Sequence, residues 1–352
     1  MRRMGVATIR DVARRAGVAI STASAALNRS APVSAALLAR VQEAARDIGY
    51  VPHGGAQSLR RGRSSLIGVV VPSIANPHFA LTAQVIEGAC LRAGCLSVVY
   101  SSGQDAEREL AILRRMRQER VAGLILVPSR SDRAHGESLR AAIHVPTVLL
   151  DMPVEGLPFD VVALDNRRAA RLATACLAVL GHRRIAALAG LPGLATSLER
   201  LRGHAEALEE AGLPPDPALL LPGGFDRDAA RAALRAALGL PGAPPTAIAS
   251  HSNMMTLGAL QAARDLGLRV PGDLSLVGVD DLDVADLLDP PPTLVRAPVA
   301  EMAERAIGLL LEEVGTGRPP EGRRDLFAPL LIERASALPP SGISSARLSR
   351  TP

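Results

Sequence analysis

Apolar residues recur at helical spacing three times between residues 8 and 49. The first stripe follows Thr8 and Asp11, a pair typical of a helix start, and Gly17 is expected to end that helix. A second helix is predicted over residues 20–28, and a third between Ser34 and Gly49. Two short helices joined by a turn that contains glycine, with a third as a brace, are typical of a helix-turn-helix. A generic three-helix bundle has the same pattern.

Beyond residue 64, apolar strands alternate with amphipathic helices. The predicted strands are 66–71, 96–100, 123–127, 147–150, 184–189, 246–250 and 274–279. A predicted helix follows Pro77, and others cover 105–119, 167–180, 197–211, 226–238 and 252–266. Such alternation predicts an α/β fold with parallel sheets covered on both faces, and its restart after Asp165 predicts two lobes. Ligands of such sheets bind beyond the carboxyl ends of the strands, so facing lobes would form a cleft.

The patterns divide the chain into four parts. We expect a helix-turn-helix domain over residues 1–50, a linker with one short hinge helix over 51–63, and the two-lobed domain over 64–336. Residues 337–352 are rich in Pro, Ser and Arg and are expected to form a disordered tail.

Charge and composition narrow the function. All 40 basic residues are arginine, so chemistry that needs a catalytic or phosphate-binding lysine is excluded. Residues 1–63 hold 11 arginines against three acidic residues, whereas the remainder is slightly acidic. A basic head on an acidic body indicates that the head meets a polyanion.

Other sequence features indicate the cellular compartment and argue against a metal site. No apolar run reaches the length of about 18 residues that a membrane helix needs, and the basic N-terminus lacks the apolar segment of a secretory signal. The three cysteines, Cys90, Cys95 and Cys176, are odd in number and lack metal-ligand spacing. We therefore expect a cytoplasmic, nucleoid-associated protein with reduced thiols, no cofactor and no metal.

A series of motifs follows in order along residues 7–335: Thr8-Ile9-x-Asp11-Val12-Ala13-x-x-Ala16-Gly17-Val18, Gly49-Tyr50-x-Pro52, Asn76-Pro77-x-Phe79, Arg200-x-x-Gly203, Val270-Pro271-x-Asp273 and Asp280-Asp281. As a set they resemble the lactose-repressor (LacI/GalR) family. The resemblance implies a homodimeric transcriptional regulator that binds double-stranded operator DNA. We expect a repressor rather than an activator, because no separate segment for contact with RNA polymerase is visible. The resemblance also implies that the body is a periplasmic-binding-protein-like sensor domain, in which a small-molecule effector changes operator affinity allosterically.

The resemblance implies a set of DNA-binding residues: Thr8, Arg10, Ile20, Ser21, Thr22, Ser24, Ala25, Asn28, Arg29, Ala56, Leu59 and Arg60. The second helix would lie in the major groove, where an α-helix fits, and the two hinge helices of a dimer would meet in the minor groove. This chain departs from the family in having Ala19 at the N-cap of that helix and Ala25 where arginine is usual. We therefore predict an operator whose inner bases are not read by a bidentate arginine–guanine pair.

The implied effector-binding residues are His78, Phe79, Asp151, Asp165, Arg200, Phe225, Ser252, Asn253 and Asp280. Aromatic faces stack on sugar rings or bases, and carboxylates accept hydrogen bonds from hydroxyls. Core packing is the alternative for both phenylalanines. The family commonly has Asn-Asp where this chain has Ser252-Asn253, which leaves both a sugar and a nucleoside open as effector, with a carbohydrate or its derivative favoured.

Two other classes of protein compete with a regulator. A solute-binding protein would share the two-lobed domain, but it needs an export signal and has no use for residues 7–63. An enzyme is not favoured, because no Gly-x-Gly-x-x-Gly follows the first strand and no histidine pair has metal spacing.

We predict that Leu59→Ala weakens operator affinity by roughly tenfold or more while effector binding is kept, because the resemblance implies that Leu59 wedges between central base pairs. Fluorescence anisotropy with operator DNA and calorimetry with effector measure the two affinities. Unchanged DNA affinity would refute the wedge and favour packing of Leu59 against the sensor.

Overall fold

The computed structural model describes residues 7–28, 31–50, 65–239 and 244–340. The chain divides into two compact units, residues 1–65 and 66–352, and each is described by itself. The predicted hinge helix within 51–63 lies outside the described residues. Residues 337–340 were expected in the tail, but Leu338 is fixed to the body, because its carbonyl accepts from Ser275 Oγ and contacts His182 Nε2, both at 2.9 Å.

The first unit is a three-helix head. Its helices are α1 (Ile9–Ala16), α2 (Ile20–Asn28) and α3 (Ala35–Asp47). The amide and hydroxyl of Thr8 both donate to the Asp11 carboxylate, at 3.0 and 2.7 Å, and Gly17 ends α1 in the left-handed conformation. The core is built from small side chains, which let three short helices approach closely: Val12, Ala13, Ala16, Ala23, Ala26, Val41, Ala44 and Ala45.

The first lobe of the second unit holds a six-stranded parallel sheet in the order β11-β5-β4-β3-β1-β2. The strands are β1 (Leu66–Val71), β2 (Leu96–Ser101), β3 (Gly123–Leu126), β4 (Thr147–Leu150), β5 (Asp160–Leu164) and β11 (Arg324–Phe327). The helices of this lobe are α4 (Pro77–Arg92), α5 (Ala106–Gln118), α6 (Arg133–Ala142) and α11 (Val299–Thr316).

The second lobe holds a sheet in the order β12-β10-β9-β8-β6-β7, in which only β12 is antiparallel to its neighbour. The strands are β6 (Ile185–Ala189), β7 (Leu220–Pro222), β8 (Ala247–Ser250), β9 (Ser275–Val279), β10 (Thr293–Arg296) and β12 (Leu330–Ile332). The helices are α7 (Asn166–Val179), α8 (Ala195–Glu210), α9 (Arg227–Gly239) and α10 (Asn253–Asp265).

The prediction of two lobes of parallel strands agrees with the structure, but the chain does not pass from one lobe to the other only once. It crosses after β5, returns to the first lobe with α11 and β11, and crosses again to add β12. The pattern of apolar residues did not predict helices α6 and α11 or strands β5, β7, β10, β11 and β12. Strand β11 contains Arg324 and Asp325 and has no continuous apolar run, so no strand is predicted there from the apolar pattern.

Gly203 sets the closest contact between α7 and α8. A Cβ atom at Gly203 would lie 1.9 Å from the carbonyl oxygen of Arg167, which is backbone and cannot move aside cheaply. The glycine of the Arg200-x-x-Gly203 motif is therefore required by helix packing.

We predict that Gly203→Ala lowers the free energy of unfolding by about 3 kcal/mol, because the two helices must separate. Urea denaturation measures this loss. The matched control is Gly308→Ala in the exposed face of α11, where a Cβ meets nothing within 4 Å. This control should instead raise stability by about 0.5–1 kcal/mol through helix propensity. Equal effects of the two substitutions would contradict the packing argument.

Glu313 on α11 is a buried carboxyl near Asp160. Burial raises the pKa of Glu313 to about 7, and the negative charge of Asp160 adds to this effect. Because this pKa is raised, the native state holds a proton that the unfolded state releases at lower pH. The associated stability is full below pH 4.5 and is lost as the pH rises through 7.

We predict that Glu313→Gln flattens this part of the pH dependence and stabilises the protein at pH 8 by up to about 3 kcal/mol. The measurement is urea denaturation of both proteins from pH 5 to pH 8. A constant difference between the two proteins across that range would show that Glu313 does not titrate there.

Candidate functional site

A cavity of about 390 Å³ lies between the lobes, where the carboxyl ends of the two sheets face each other. The first lobe lines it with the segments that follow β1, β2, β3 and β4. The second lobe lines it with the segments that follow β6, β7, β8 and β9. This is the position that the parallel topology predicts for a ligand.

Four residues of the cavity wall have positive φ, a left-handed backbone conformation that residues other than glycine rarely adopt. They follow the ends of β2, β4, β7 and β9 and have φ of 58° (Gln104), 76° (Asp151), 59° (Phe225) and 67° (Asp280). Elsewhere in the described chain, only Arg120 shares this conformation among residues other than glycine. Such strain costs about 1 kcal/mol or more per residue and concentrates at ligand sites, so it indicates that the fold fixes these side chains toward the cavity.

Arg200 anchors the wall on the side of the second lobe. Its side chain, from α8, is only 3% exposed, and Nε donates to Asn166 Oδ1 at 2.8 Å. One Nη donates to Asp280 at 3.1 Å and also to the carbonyl of His251. The guanidinium carbon lies 6.0 Å from the centre of the Phe225 ring. Arg200 therefore holds Asp280 and Phe225 in place as well as facing the cavity.

Asp151 is different, because its carboxyl group has no hydrogen-bond donor among the described residues and opens into the cavity. Burial raises the pKa of Asp151, the neighbouring His78 and Arg200 oppose this shift, and the Asp280 carboxylate reinforces it. Asp151 is half-buried. A ligand that donates hydrogen bonds to it would satisfy an acceptor that has no hydrogen-bond partner within the described residues.

Direct hydrogen bonds join the two lobes at the rim of the cavity. Asn253 Nδ2 donates to Asn76 Oδ1 at 3.0 Å. The hydroxyl of Ser131 donates to the Gly193 carbonyl and accepts from the Ala195 amide, both at 2.9 Å. The lobes are therefore held closed by a few polar contacts that follow strand ends.

Seven of the nine expected effector-binding residues line the cavity: His78, Phe79, Asp151, Arg200, Phe225, Ser252 and Asp280. The structure places the other two elsewhere. Asn253 is fully buried in the contact with Asn76, and the Asp165 side chain caps α7 by accepting from the Arg168 amide at 2.9 Å.

Several polar residues of the wall were not anticipated: Ser73, Asn76, Gln104, Ser129, Thr196 and Asp226. Most of them lie within a few residues of a strand's carboxyl end, so the topology itself was the signal that would have found them.

One constellation in the first lobe has the residue types of a hydrolase. His135 Nε2 lies 2.7 Å from one oxygen of the buried Glu109, and Ser129 Oγ donates to the other oxygen at 2.7 Å. The serine proton therefore goes to the glutamate and not to the histidine, which is the wrong order for a nucleophile activated by imidazole. The arrangement fixes the strand-end loop that carries Ser129.

The head exposes part of α2. Ile20 is 48% exposed and Ser21 is exposed, whereas Thr22, Ser24, Ala25 and Asn28 are half-buried. Arg10 and Thr8 are exposed on the neighbouring helix and its cap. Ala19 accepts the first backbone hydrogen bond of α2, from Ala23, but has no side-chain acceptor for a cap. The expected contacts Arg29, Ala56, Leu59 and Arg60 lie outside the described residues.

The described ranges contain no helix that is long and apolar enough to span a bilayer. They also contain no group of three or more His, Cys, Asp or Glu side chains arranged to hold a metal ion.

Comparison with known proteins agrees with both units. The family model for bacterial regulatory proteins of the lacI family matches residues 8–53, and the model for the periplasmic binding protein-like domain matches residues 174–337. The chain is 33% identical over 336 residues to the HTH-type transcriptional repressor CytR of Escherichia coli (strain K12), covering 95% of this chain and 97% of the relative.

It is 31% identical to the Ribose operon repressor of the same strain, covering 94% of this chain and all of the relative. A solved structure of the Lac repressor dimer, bound to operator and the anti-inducer ONPF, matches with a TM-score of 0.84 and 27% identity. It covers 95% of this chain and 100% of that structure's chain. The chain therefore belongs to the lacI family of bacterial regulatory proteins and is a DNA-binding transcriptional regulator.

Proposed function

We propose that this protein is a cytoplasmic, homodimeric repressor, and that a neutral, hydroxyl-rich small molecule in the cavity between the lobes sets its operator affinity. The observation that carries the proposal is the cavity wall, in which four strained strand-end residues hold two carboxyl groups and an aromatic ring toward one space. The head supplies the DNA contact, and the sensor supplies the ligand contact.

Operator recognition is assigned to the exposed face of α2. Ile20 and Ser21 lie at the start of this helix, and neither carries a charge. A short apolar or hydroxyl side chain contacts the thymine methyl or a single base edge, whereas a bidentate grip on guanine needs arginine. Arginines elsewhere in the head, such as Arg10, serve the phosphate backbone and fix the register.

Dimer formation is assigned to the edge of the first lobe. Strand β2 is the last strand of its sheet, and large apolar side chains are exposed on it and on the neighbouring α4: Leu81, Leu91, Leu96 and Tyr100. An exposed edge of this kind is covered in most soluble proteins. The Lac repressor that resembles this chain was solved as a dimer on its operator, and two-fold heads read pseudo-palindromic half-sites.

The chemistry of the wall favours a sugar or a related polyol as effector. Asp151 and Asp280 accept from hydroxyl groups, while Phe79 and Phe225 offer flat apolar faces. Among the described residues of the wall, Arg200 is the only arginine, and it is already bonded to Asp280. The remaining acidic groups, Asp151 and Asp226, therefore disfavour a phosphorylated ligand. The name of the Ribose operon repressor associates one relative with a sugar.

The proposed mechanism is thermodynamic linkage. A ligand that touches strand ends of both lobes stabilises the closed arrangement, which already has the Asn76–Asn253 and Ser131–Gly193 contacts. If the closed and open arrangements bind operator differently, the ligand changes operator affinity by the same factor by which DNA changes ligand affinity.

We do not assign an enzymatic activity. The ligand is proposed to leave chemically unchanged, because the Ser129 hydroxyl of the wall donates its hydrogen bond to Glu109 and not to His135. A search for ligand turnover during binding experiments tests this assignment.

We predict that a screen of sugars, polyols and nucleosides against the purified protein finds a ligand that raises the melting temperature, since binding to the native state alone stabilises it. Asp151→Asn should weaken that ligand's affinity by about tenfold or more, because an acceptor for a ligand hydroxyl becomes partly a donor. Calorimetry and operator binding with and without ligand measure the effect.

The fold should tolerate Asp151→Asn, because asparagine adopts positive φ at least as readily as aspartate and the Asp151 side chain has no hydrogen bond within the described residues. Asp165→Asn is the matched control, since Asp165 caps α7 outside the cavity and asparagine is an equally good cap. If both variants bind the ligand like the original protein, the effector does not contact Asp151 and the proposed wall is wrong.

A further inference from the structure

A group of cations lies on the sensor at the end opposite to the cavity. Helix α5 ends there, and Arg114, Arg117, Gln118 and Arg120 border one shallow depression. All four are exposed, and Arg117 donates to the ring Nε2 of the exposed His144 at 2.7 Å. We call Arg114, Arg117 and Arg120 the basic end patch.

The patch lacks the neutralising partners that most arginines of the sensor have. Neighbouring Arg115 pairs with Glu119 at 2.6 Å, but within the described residues no carboxylate pairs with Arg114, Arg117 or Arg120. The sensor as a whole carries more acidic than basic residues, so this local excess is not a reflection of its average charge. A concentrated positive field on an acidic body points to an anionic partner.

Arg120 occupies a position that glycine holds at other helix ends. It follows the C-cap of α5 with φ of 54°, and the equivalent residues after five other helices are Gly49, Gly94, Gly181, Gly212 and Gly267. An arginine there is strained where glycine is not, by about 1 kcal/mol. Helix termination therefore does not explain this side chain, and its charge remains as the explanation.

The patch lies at the end of the sensor where its first strand, β1, begins. The amide of Ala122, two residues after Arg120, donates to the carbonyl of Leu66 at 2.7 Å, and Leu66 is the first residue of β1. The 14 residues 51–64 join the head to this point and reach at most about 50 Å when fully extended. Any duplex that the head binds is therefore connected to Leu66 through this stretch of chain.

We propose that the basic end patch binds the phosphate backbone of the DNA that flanks the operator. Exposed guanidinium groups bind phosphates without regard to base sequence, and each neutralised phosphate releases a counterion. The sensor then contributes affinity that depends on flank length and on salt, while the head alone supplies sequence preference. This inference rests on operator binding by the head but makes a separate statement about the sensor.

The test uses the full-length protein and an operator selected with it from a random pool. Two duplexes carry the same selected core, one with short ends and one with about 15 extra base pairs on each side. The triple variant R114A/R117A/R120A removes the patch. The control triple R168A/R183A/R264A removes the same charge from exposed arginines that have no ion pair within the described residues. Anisotropy at several salt concentrations gives the Kd values and the slope of log K against log salt.

We expect the patch triple to weaken binding to the long duplex by roughly tenfold or more at low salt and to lower its salt slope by about 2 or more. Its binding to the short duplex and both affinities of the control triple should stay within about twofold of the original protein. The proposal would be overturned if the control triple no longer bound the long duplex more tightly than the short one. It would also be overturned if the patch triple still did so. This second outcome would instead favour an acidic protein as partner of the patch.

The single variant Arg120→Gly distinguishes an effect of the lost charge on DNA binding from an effect of the substitution on stability. We expect it to raise the melting temperature by about 2 °C, since glycine relieves the strained backbone, and yet to weaken binding to the long duplex alone. A stabilised variant with unchanged DNA affinity would remove Arg120 from the patch. If no variant, including the original protein, prefers the selected core, operator recognition by the head has failed rather than the role of the patch.

Discussion

A buried guanidinium cannot be left without partners, and this constraint organises the sensor around Arg200. Its partners come from the start of α7, from the turn after β8 and from the end of β9, so a single side chain from α8 joins three parts of one lobe. Breaking one partner of a buried pair costs about 3–5 kcal/mol, because the remaining charge loses its compensation. The contact with Arg200 offsets the backbone strain of Asp280. Phe225 packs against Gly190 and lies below the same guanidinium. The positions of the residues that face a ligand thus follow from the hydrogen bonds that the buried Arg200 guanidinium makes.

Much of the fold was predictable from the sequence, because most of its strands are continuous apolar runs. Leu66–Val71 and Thr147–Leu150 have the bounds that their apolar pattern predicts, and the Thr8–Asp11 cap and Gly17 stop match their expected roles. The crossings between lobes were not predictable, because β11 and β12 are short and are defined by their pairing with β5 and β10 rather than by their own residues.

The site was predictable to the extent that strand ends were recognised. Asp151 and Asp280 stand directly after β4 and β9, and parallel sheets bring such positions together. Asn253 has the same kind of position, but its amide meets Asn76 of the other lobe, and only the relative placement of two loops decides that contact. Asp165 likewise follows β5, but the helix that begins beside it takes its carboxylate as a cap. Local sequence defines the candidates, and competition for hydrogen bonds decides which of them remain open to a ligand.

The three passages of the chain between the lobes have a mechanical consequence. Segments after β5, after β10 and after β11 run between the same two bodies. Three parallel connecting segments allow the lobes to close toward each other as if about a hinge. They resist sliding and twisting of one lobe against the other. A protease cut in any one of these segments would leave the other two intact, so the lobes of the cleaved sensor should stay together.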